Sequence, residues 1–376
     1  MPNPLPSPDR TPDPWKDFAP SIHPRSWNSL ASHHLSGKRV LITGAGGSIG
    51  SALASAVHAS HPDSLLLLDN SENALYQIDR ILRDAGSLHH TPLLASVTDP
   101  DTLSRAFAHH QPQIVFHAAA LKHVPLMEQN PFAAIETNTL GTLNLIHAAI
   151  AHRAEQLIHI STDKAVDPHS IMGASKRIAE LILLTTPTSA THLTALRLCN
   201  VIGSEGSVLP LFLEQLAHNL PLTVTHADAH RYFITLDRTI EALFTALQPH
   251  PTPAILIPEI GASIRILNLA HHLLRTHQSS LSIEFTGLRP GDKLSELLLS
   301  PRERLHRNTT SPLHLIETLT PSSAILHAEL NALRHAIQTH DLRELLHATL
   351  TLVPEYQPSN IITSALAESQ ALEIPA

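Results

Sequence analysis

The sequence predicts an α/β fold: a Rossmann-like doubly wound parallel sheet with a smaller C-terminal substrate-binding lobe. Three observations carry that expectation. From Lys38 onward, short apolar runs alternate with amphipathic stretches of helical length, the pattern of successive βαβ units. A glycine-rich segment, Gly44-Ala-Gly46-Gly47-Ser48-Ile49-Gly50, lies between the first such run and the first such stretch. The next run closes on an acidic residue, Asp69.

Arg39 to Thr43 is a short buried strand, and Ser48 to about His61 a helix of small and apolar residues. Leu65 to Asp69 forms the second strand, about Glu72 to Ala85 the next helix, and Thr91 to Val97 the third strand. Ile114 to Ala120, Gln156 to Ser161 and Leu193 to Leu198 supply the fourth, fifth and sixth. Residues 1–36, rich in Pro, Ser and His, cannot bury much apolar surface and read as an N-terminal arm, with a packing role for Trp15, Phe18 and Trp27 as the alternative. Residues 37–200 then form a dinucleotide-binding domain, and 201–300 a substrate-binding lobe, some of whose elements return to the sheet. Residues 301–376 form a helical extension, in which Ser322 to Leu352 carries apolar residues at helical spacing. That helical pair docks on the body or on a partner, and a homo-oligomer is expected.

The formal charge is −8 with histidines neutral, and no dense Lys/Arg run occurs, so a nucleic-acid partner is not expected. Aromatic residues make up only 3%, which leaves the packing to Leu, Ile, Val and Ala. Cys199 is the sole cysteine, which excludes an intramolecular disulfide and fits a reducing compartment. Neither a signal-peptide pattern nor an apolar run of membrane-spanning length is found, so a cytoplasmic chain without membrane insertion is expected. The 29 histidines fall in no ligand-spaced frame, and no metal is expected.

In a strand-to-helix setting, Gly44, Gly46, Gly47 and Gly50 let the backbone, with the Ser48 and Ile49 N–H groups at the helix start, approach a pyrophosphate. Asp69 ends the second strand, where a carboxylate accepts from adenosine ribose hydroxyls, with Asn70 beside it. Its charge opposes the extra phosphate of NADP, and no Arg follows it in Asn70-Ser71-Glu72. NAD is therefore favoured, with NADP left open. A tight turn at the glycines, and a helix cap at Asp69, are the plain structural alternatives.

Seven segments in order resemble the extended short-chain dehydrogenases, and within them the polysaccharide-biosynthesis branch of UDP-N-acetylglucosamine 4,6-dehydratases. They are Thr43-Gly-Ala-Gly-Gly-Ser-Ile-Gly50, His117-Ala-Ala-Ala-Leu-Lys-His-Val-Pro125, Ser161-Thr-Asp-Lys-Ala-Val166, Met172-Gly-Ala-Ser-Lys176, Asn200-Val-Ile-Gly-Ser204, Arg231-Tyr-Phe233 and Arg289-Pro-Gly-Asp-Lys293. The resemblance covers about Gly37 to Ser300 and returns in Leu352-Val-Pro-Glu-Tyr356. Ordinary members carry Tyr-x-x-x-Lys, whose phenol takes the proton as hydride leaves the sugar. Here Met172 stands at the Tyr position and Lys176 is kept.

The resemblance implies a UDP-hexose substrate, hydride loss from C4 to NAD, elimination of water across C5 and C6, and hydride return to C6. It gives Lys164 the C5 proton, Asp163 the departing C6 hydroxyl, Thr162 the C4 oxygen and Lys176 the nicotinamide ribose. By the same likeness Ala118, Ala119 and Ala120 line the cofactor, Asn138 supports the active-site backbone, and Lys122 and His123 lie where cofactor and sugar meet. Asn200, Arg231 and Arg289 fall at positions that contact the nucleotide-sugar, where a guanidinium suits a diphosphate. Ser96 replaces a usual Asp and Cys199 a usual Gly, departures that bear on cofactor affinity. The long membrane-anchored relatives carry transmembrane helices and a further domain, so this chain reads as a short, soluble form. Two other readings stand beside it. A UDP-sugar 4-epimerase shares fold, cofactor and first step, although it leans on the missing phenol. A catalytically silent NAD-binding regulatory protein would explain Met172, although the retained Asp163, Lys164 and Lys176 speak against decay.

Overall fold

The computed structural model of the chain describes residues 33–188 and 190–372; the expectations for residues 1–32 lie outside that range. A nine-stranded sheet organises the fold. Its first six strands are β1 (Arg39–Thr43), β2 (Ser64–Asp69), β3 (His90–Leu94), β4 (Ile114–His117), β5 (Gln156–Thr162) and β6 (His192–Leu198). They run in parallel in the order β3-β2-β1-β4-β5-β6, the doubly wound arrangement in which ligands settle at the carboxyl ends of the strands.

The sheet extends beyond the six strands expected. Ala254–Pro258 adds a seventh parallel strand on β6, Leu313–Glu317 pairs antiparallel with it, and Arg304–His306 pairs antiparallel with Leu313–Glu317 at the edge. The seventh is a buried five-residue run between prolines, whose local signal is that of a loop and whose identity as a strand comes from pairing with β6. Two expected strands are also shorter: β3 ends at Leu94 and β4 at His117, releasing Ala95–Val97 and Ala118–Ala120 into the loops above the sheet.

Strands buried on both faces read as continuous apolar runs, and β2 and β4 do so here. One face packs on the helices Ser48–His58, Glu72–Asp84 and Leu236–Thr245 through Leu53, Val57, Ile78 and Leu243. The other packs on Pro100–His110, Gly141–Ala151 and Ile171–Thr185 through Phe107, Leu145, Ile146 and Ile178. Ile171 through Leu183 is buried on every side, so its charged members must be paired. Arg177 and Glu180 meet at 3.0 Å, and Arg197 of β6 bridges Glu180 and Glu303, each at 2.8 Å.

The tail helices Ser323–Thr339 and Leu342–Leu352 insert Leu326, Leu330, Leu333, Leu345 and Leu346 into the same core. Of the two expected docking modes, the structure has the intrachain one, so the apolar stripe no longer argues for a partner. A separate small core joins Val208–Ala217 and Ile266–Thr276 to the short strand pair Leu222–Val224 and Ile283–Phe285, forming the lobe over the carboxyl edge. Among the described residues, no helix is long and apolar enough to cross a membrane.

Candidate active site

The glycine loop is shaped by contacts that no side chain could share. Gly44 has φ +66°, and a Cβ there would sit 2.5 Å from the Ala119 nitrogen. A Cβ on Gly46 would meet that of Ala74 at 2.5 Å, and one on Gly50 would collide with the Gly44 carbonyl oxygen. Gly47 differs, because its nearest neighbour would be the Gly44 oxygen at 3.4 Å, an ordinary contact. Nothing in the chain itself demands glycine there, whereas a ligand brought close to the backbone would. Gly47 caps the helix beginning at Ser48 without a side-chain bond, and no acidic residue lies in the first turn, which suits an anion. Asp69 ties the loop to β2: Oδ2 accepts from the Gly46 N–H and Oδ1 from the Ser71 N–H, each at 2.9 Å. Asn70 is exposed beside it. The residues from Gly44 to Gly50, with Asp69, therefore fit a dinucleotide.

Ala118, Ala119 and Ala120 run on from β4 toward this loop, with the Ala118 N–H on the Thr43 carbonyl at 3.0 Å. Asn138 holds the next turn: Oδ1 accepts from the Leu121 N–H at 2.8 Å, while Nδ2 donates to the Leu121 carbonyl at 3.0 Å and to Ser175 Oγ at 2.9 Å. A buried amide so fully partnered fixes the loop that carries Lys122 and His123. Asn138 stands in a π-turn, Glu136–Leu140, of the kind found at functional positions.

At the end of β5, Thr162 caps a short 3-10 turn, Asp163–Ala165. Its hydroxyl donates to Asp163 Oδ1 at 3.0 Å, the oxygen that also accepts from Lys164 Nζ at 3.0 Å. Lys164 donates further to Asn200 Oδ1 at 3.3 Å. Burial, aided by Glu296, pushes the Asp163 carboxyl above its ordinary value against the pull of Lys164. Burial works against the Lys164 ammonium as well, but the charges of Asp163 and Glu296 overcome it and hold its pKa above the usual lysine value. Cys199 lies in the same field, its thiol pushed up by burial and then by Asp163.

Lys176 is one helical turn beyond Met172, but it points into the body. Its Nζ donates to the Ile160 carbonyl and bonds His159 Nε2 at 3.0 Å, and burial draws its pKa down to about 7. The His159 and His117 rings lie 5.0 Å apart at a 42° tilt, and burial followed by the Lys176 charge takes His117 down to about 3. His117 therefore stays neutral and spans Thr43 Oγ1 at 2.8 Å and Thr142 Oγ1 at 2.9 Å. Met172 is buried in the core, with no proton to give.

Lys122, His123 and Arg289 form a basic rim. Burial lowers the pKa of His123, and the Lys122 and Arg289 charges lower it further. Arg289 pairs with Asp292 at 2.8 Å and is largely exposed. Arg231 is placed otherwise, for its guanidinium donates to the main-chain carbonyls of His230, Leu294 and Lys293. Asn200 anchors to the Tyr232 carbonyl at 3.0 Å while receiving Lys164.

The contacts made by two residues, Glu205 and Glu296, had no readable signal in the sequence. The loop at Gly203 to Gly206 crosses above the glycine loop: the Glu205 N–H donates to Ser48 Oγ at 3.1 Å, and Lys122 Nζ donates to the Glu205 carbonyl. Glu296, buried, lies 3.6 Å from Lys164 Nζ. Among the described residues, no group of three or more His, Cys, Asp or Glu is placed to hold a metal ion.

The family described as polysaccharide biosynthesis protein matches residues 40–318. The capsular polysaccharide biosynthesis protein CapD of Staphylococcus aureus is 39% identical over 73% of the chain, which covers 47% of CapD. A UDP-N-acetylglucosamine 4,6-dehydratase (inverting) of Campylobacter jejuni is 32% identical over 70% of the chain and 78% of the relative. A UDP-glucose 4-epimerase of Rickettsia typhi is 33% identical over 71% and 79%. The chain spans about half the length of the first of these relatives. Among solved structures, Pen from Bacillus thuringiensis superposes with a TM-score of 0.70 at 30% identity, over 77% of this chain and 90% of that one. DesIV, a dTDP-glucose 4,6-dehydratase from Streptomyces venezuelae solved with NAD and TYD bound, superposes at 0.62 with 22% identity over 69% and 88%, a likeness of fold.

Proposed function

The chain belongs to the polysaccharide biosynthesis protein family, and from that premise we propose that it is a nucleotide-sugar 4,6-dehydratase acting on UDP-N-acetylglucosamine or a similar UDP-hexose, in the making of surface polysaccharide. One observation carries this reading: the acid–base groups at the carboxyl end of β5 are the bonded pair Asp163 and Lys164, while the helix position that could offer a phenol holds buried Met172. Gly44 to Gly50 and Asp69 would hold the dinucleotide, and Asp69 favours NAD over NADP. When bound, the dinucleotide supplies the oxidant for C4 and the reductant for C6.

The residues of the chain do the proton work. Transfer of one proton from Lys164 Nζ to Asp163 Oδ1, along their 3.0 Å bond, turns an ammonium and a carboxylate into an amine and a carboxylic acid. The amine then takes the C5 proton, the acid gives its proton to the departing C6 hydroxyl, which leaves as water, and the Lys164 ammonium returns its proton to C5 as hydride reaches C6. The C4 hydroxyl proton, released to solvent as C4 is oxidised, balances the one that Asp163 regains from solvent afterwards. Thr162, bonded to Asp163, would meet the C4 oxygen. Lys122 and Arg289 would offer positive charge for the diphosphate, and His123, whose pKa burial and those two charges lower, a neutral hydrogen-bonding group beside them.

The Rickettsia relative favours a second reading, a UDP-sugar 4-epimerase. Incubating the purified protein with UDP-N-acetylglucosamine, with and without NAD, and following products by mass and NMR separates the two. Loss of one water with a 4-keto-6-deoxy signal supports the dehydratase, and an unchanged mass with a new C4 epimer supports the epimerase. Replacing Lys164 by Ala abolishes turnover while leaving NAD binding intact, whereas a silent NAD-binding regulator would have no turnover to lose.

A further inference from the structure

Glu296 belongs to none of the motifs discussed above, yet it reaches the centre of the site. It is buried, and its Oε1 lies 3.6 Å from Lys164 Nζ and 3.9 Å from Arg231 Nε, while its Oε2 lies 3.6 Å from Lys293 Nζ and has no hydrogen-bond partner. Lys164 thus stands between two carboxylates, Asp163 at 3.0 Å and Glu296. Lys293 and Arg231 are held in place by main-chain carbonyls, Lys293 by Val166 and Arg231 by Leu294, so Glu296 sits in a fixed frame. Asp163 Oδ2 is likewise buried without a hydrogen-bond partner, so the pair lies in surroundings where charges are weakly screened.

We propose that Glu296 is a positioning residue for the reaction read above: by facing Lys164 together with Asp163, it keeps their shared proton within the pair. The proposal rests on the dehydratase reading only for its consequence in catalysis. A negative charge beside the pair makes loss of that proton harder, whichever of the two holds it. Burial opposes the charge on Glu296, but Lys164, Lys293 and Arg231 keep it below the ordinary glutamate value and therefore ionised. The other groups in this field are His169, which feels Lys293 and Glu296, Lys122, which feels Lys164, and Cys199, which feels Asp163.

The test is Glu296→Gln, which removes the charge and keeps the shape, beside Glu296→Asp, which keeps the charge. Carbon-13 NMR of aspartate-labelled protein, with Asp163→Asn for assignment, follows the Asp163 carboxyl without any substrate. We expect the wild-type Asp163 to titrate above the ordinary carboxylate range, and to move down by about one pH unit in E296Q and much less in E296D. In kinetics on UDP-N-acetylglucosamine, both limbs of the kcat profile of E296Q move to lower pH by a similar amount, with KM little changed. An Asp163 titration that is the same in E296Q and wild type overturns the proposal, whatever the reaction proves to be. So does an ordinary value in the wild type, a result that stands even if E296Q fails to fold. If the wild type turns over no nucleotide-sugar, the reaction assignment fails by itself and the NMR titration still decides the role of Glu296.

Discussion

The first turn of the helix Ile171–Thr185 lies directly on the turn that carries Lys164: a side-chain carbon on Gly173 would overlap the Lys164 carbonyl oxygen. The helix start is further fixed by Ser170, whose hydroxyl accepts from the Gly173 N–H at 3.1 Å, and by Glu128, which accepts from the Ile171 N–H at 2.7 Å. Asp163 and Lys164 are therefore placed by a helix that approaches because one residue lacks a Cβ.

Replacing Gly173 by Ala would raise helix propensity by up to about 1 kcal/mol in an open helix. Here the added methyl has to move backbone, and overpacking of this kind costs about 1–3 kcal/mol. We expect G173A to unfold at lower urea concentration than wild type and to lose turnover in excess of that instability, because the shift lands on Lys164. Stability equal to or above wild type would mean that the contact is loose.

The parallel sheet was legible because its central strands are buried on both faces, and Leu65 to Leu68 or Ile114 to Phe116 admit little else at that length. Asp163 and Lys164 were legible through the family resemblance carried by Ser161-Thr-Asp-Lys-Ala-Val166, at the end of such a strand. The strand Ala254–Pro258 was not, since five apolar residues beside Pro251 and Pro253 look like a loop until β6 pairs with them. Glu296 was hidden for a different reason. In Leu294-Ser-Glu-Leu297 nothing local distinguishes it from a solvated glutamate, and only the fold brings it to Lys164. Arg231 shows the converse: a guanidinium read as a diphosphate fork is bonded to main-chain carbonyls, holding the segment that carries Glu296.

Arg197 is fully buried and donates to both Glu180 and Glu303 through four bonds of 2.8 to 3.1 Å. Replacing it by Met leaves two buried carboxylates with Arg177 as their remaining cation. Breaking a buried pair from one side costs about 3–5 kcal/mol. Arg197→Met should show a loss of that size in urea denaturation. Combining it with Glu180→Gln, which removes one stranded charge, should recover part of the loss. A penalty below about 1 kcal/mol, the worth of an exposed pair, would show that water reaches the network.

Lys176 gives a pH dependence whose sign is opposite to that of most paired lysines. Burial lowers its pKa in the folded chain to about 7, whereas an unfolded lysine titrates near about 10.4. Between those values the unfolded chain binds the extra proton, so stability rises with pH; below about 7 the folded chain carries a buried ammonium and that gain is absent. Lys176→Met has no group titrating there. The stability of wild type minus that of K176M, from urea midpoints taken between pH 6 and 9, should therefore increase with pH. A flat difference would mean that the bonds to His159 and the Ile160 carbonyl offset the burial of the ammonium. A falling one would mean that the folded chain binds the Lys176 proton more tightly than the unfolded chain does.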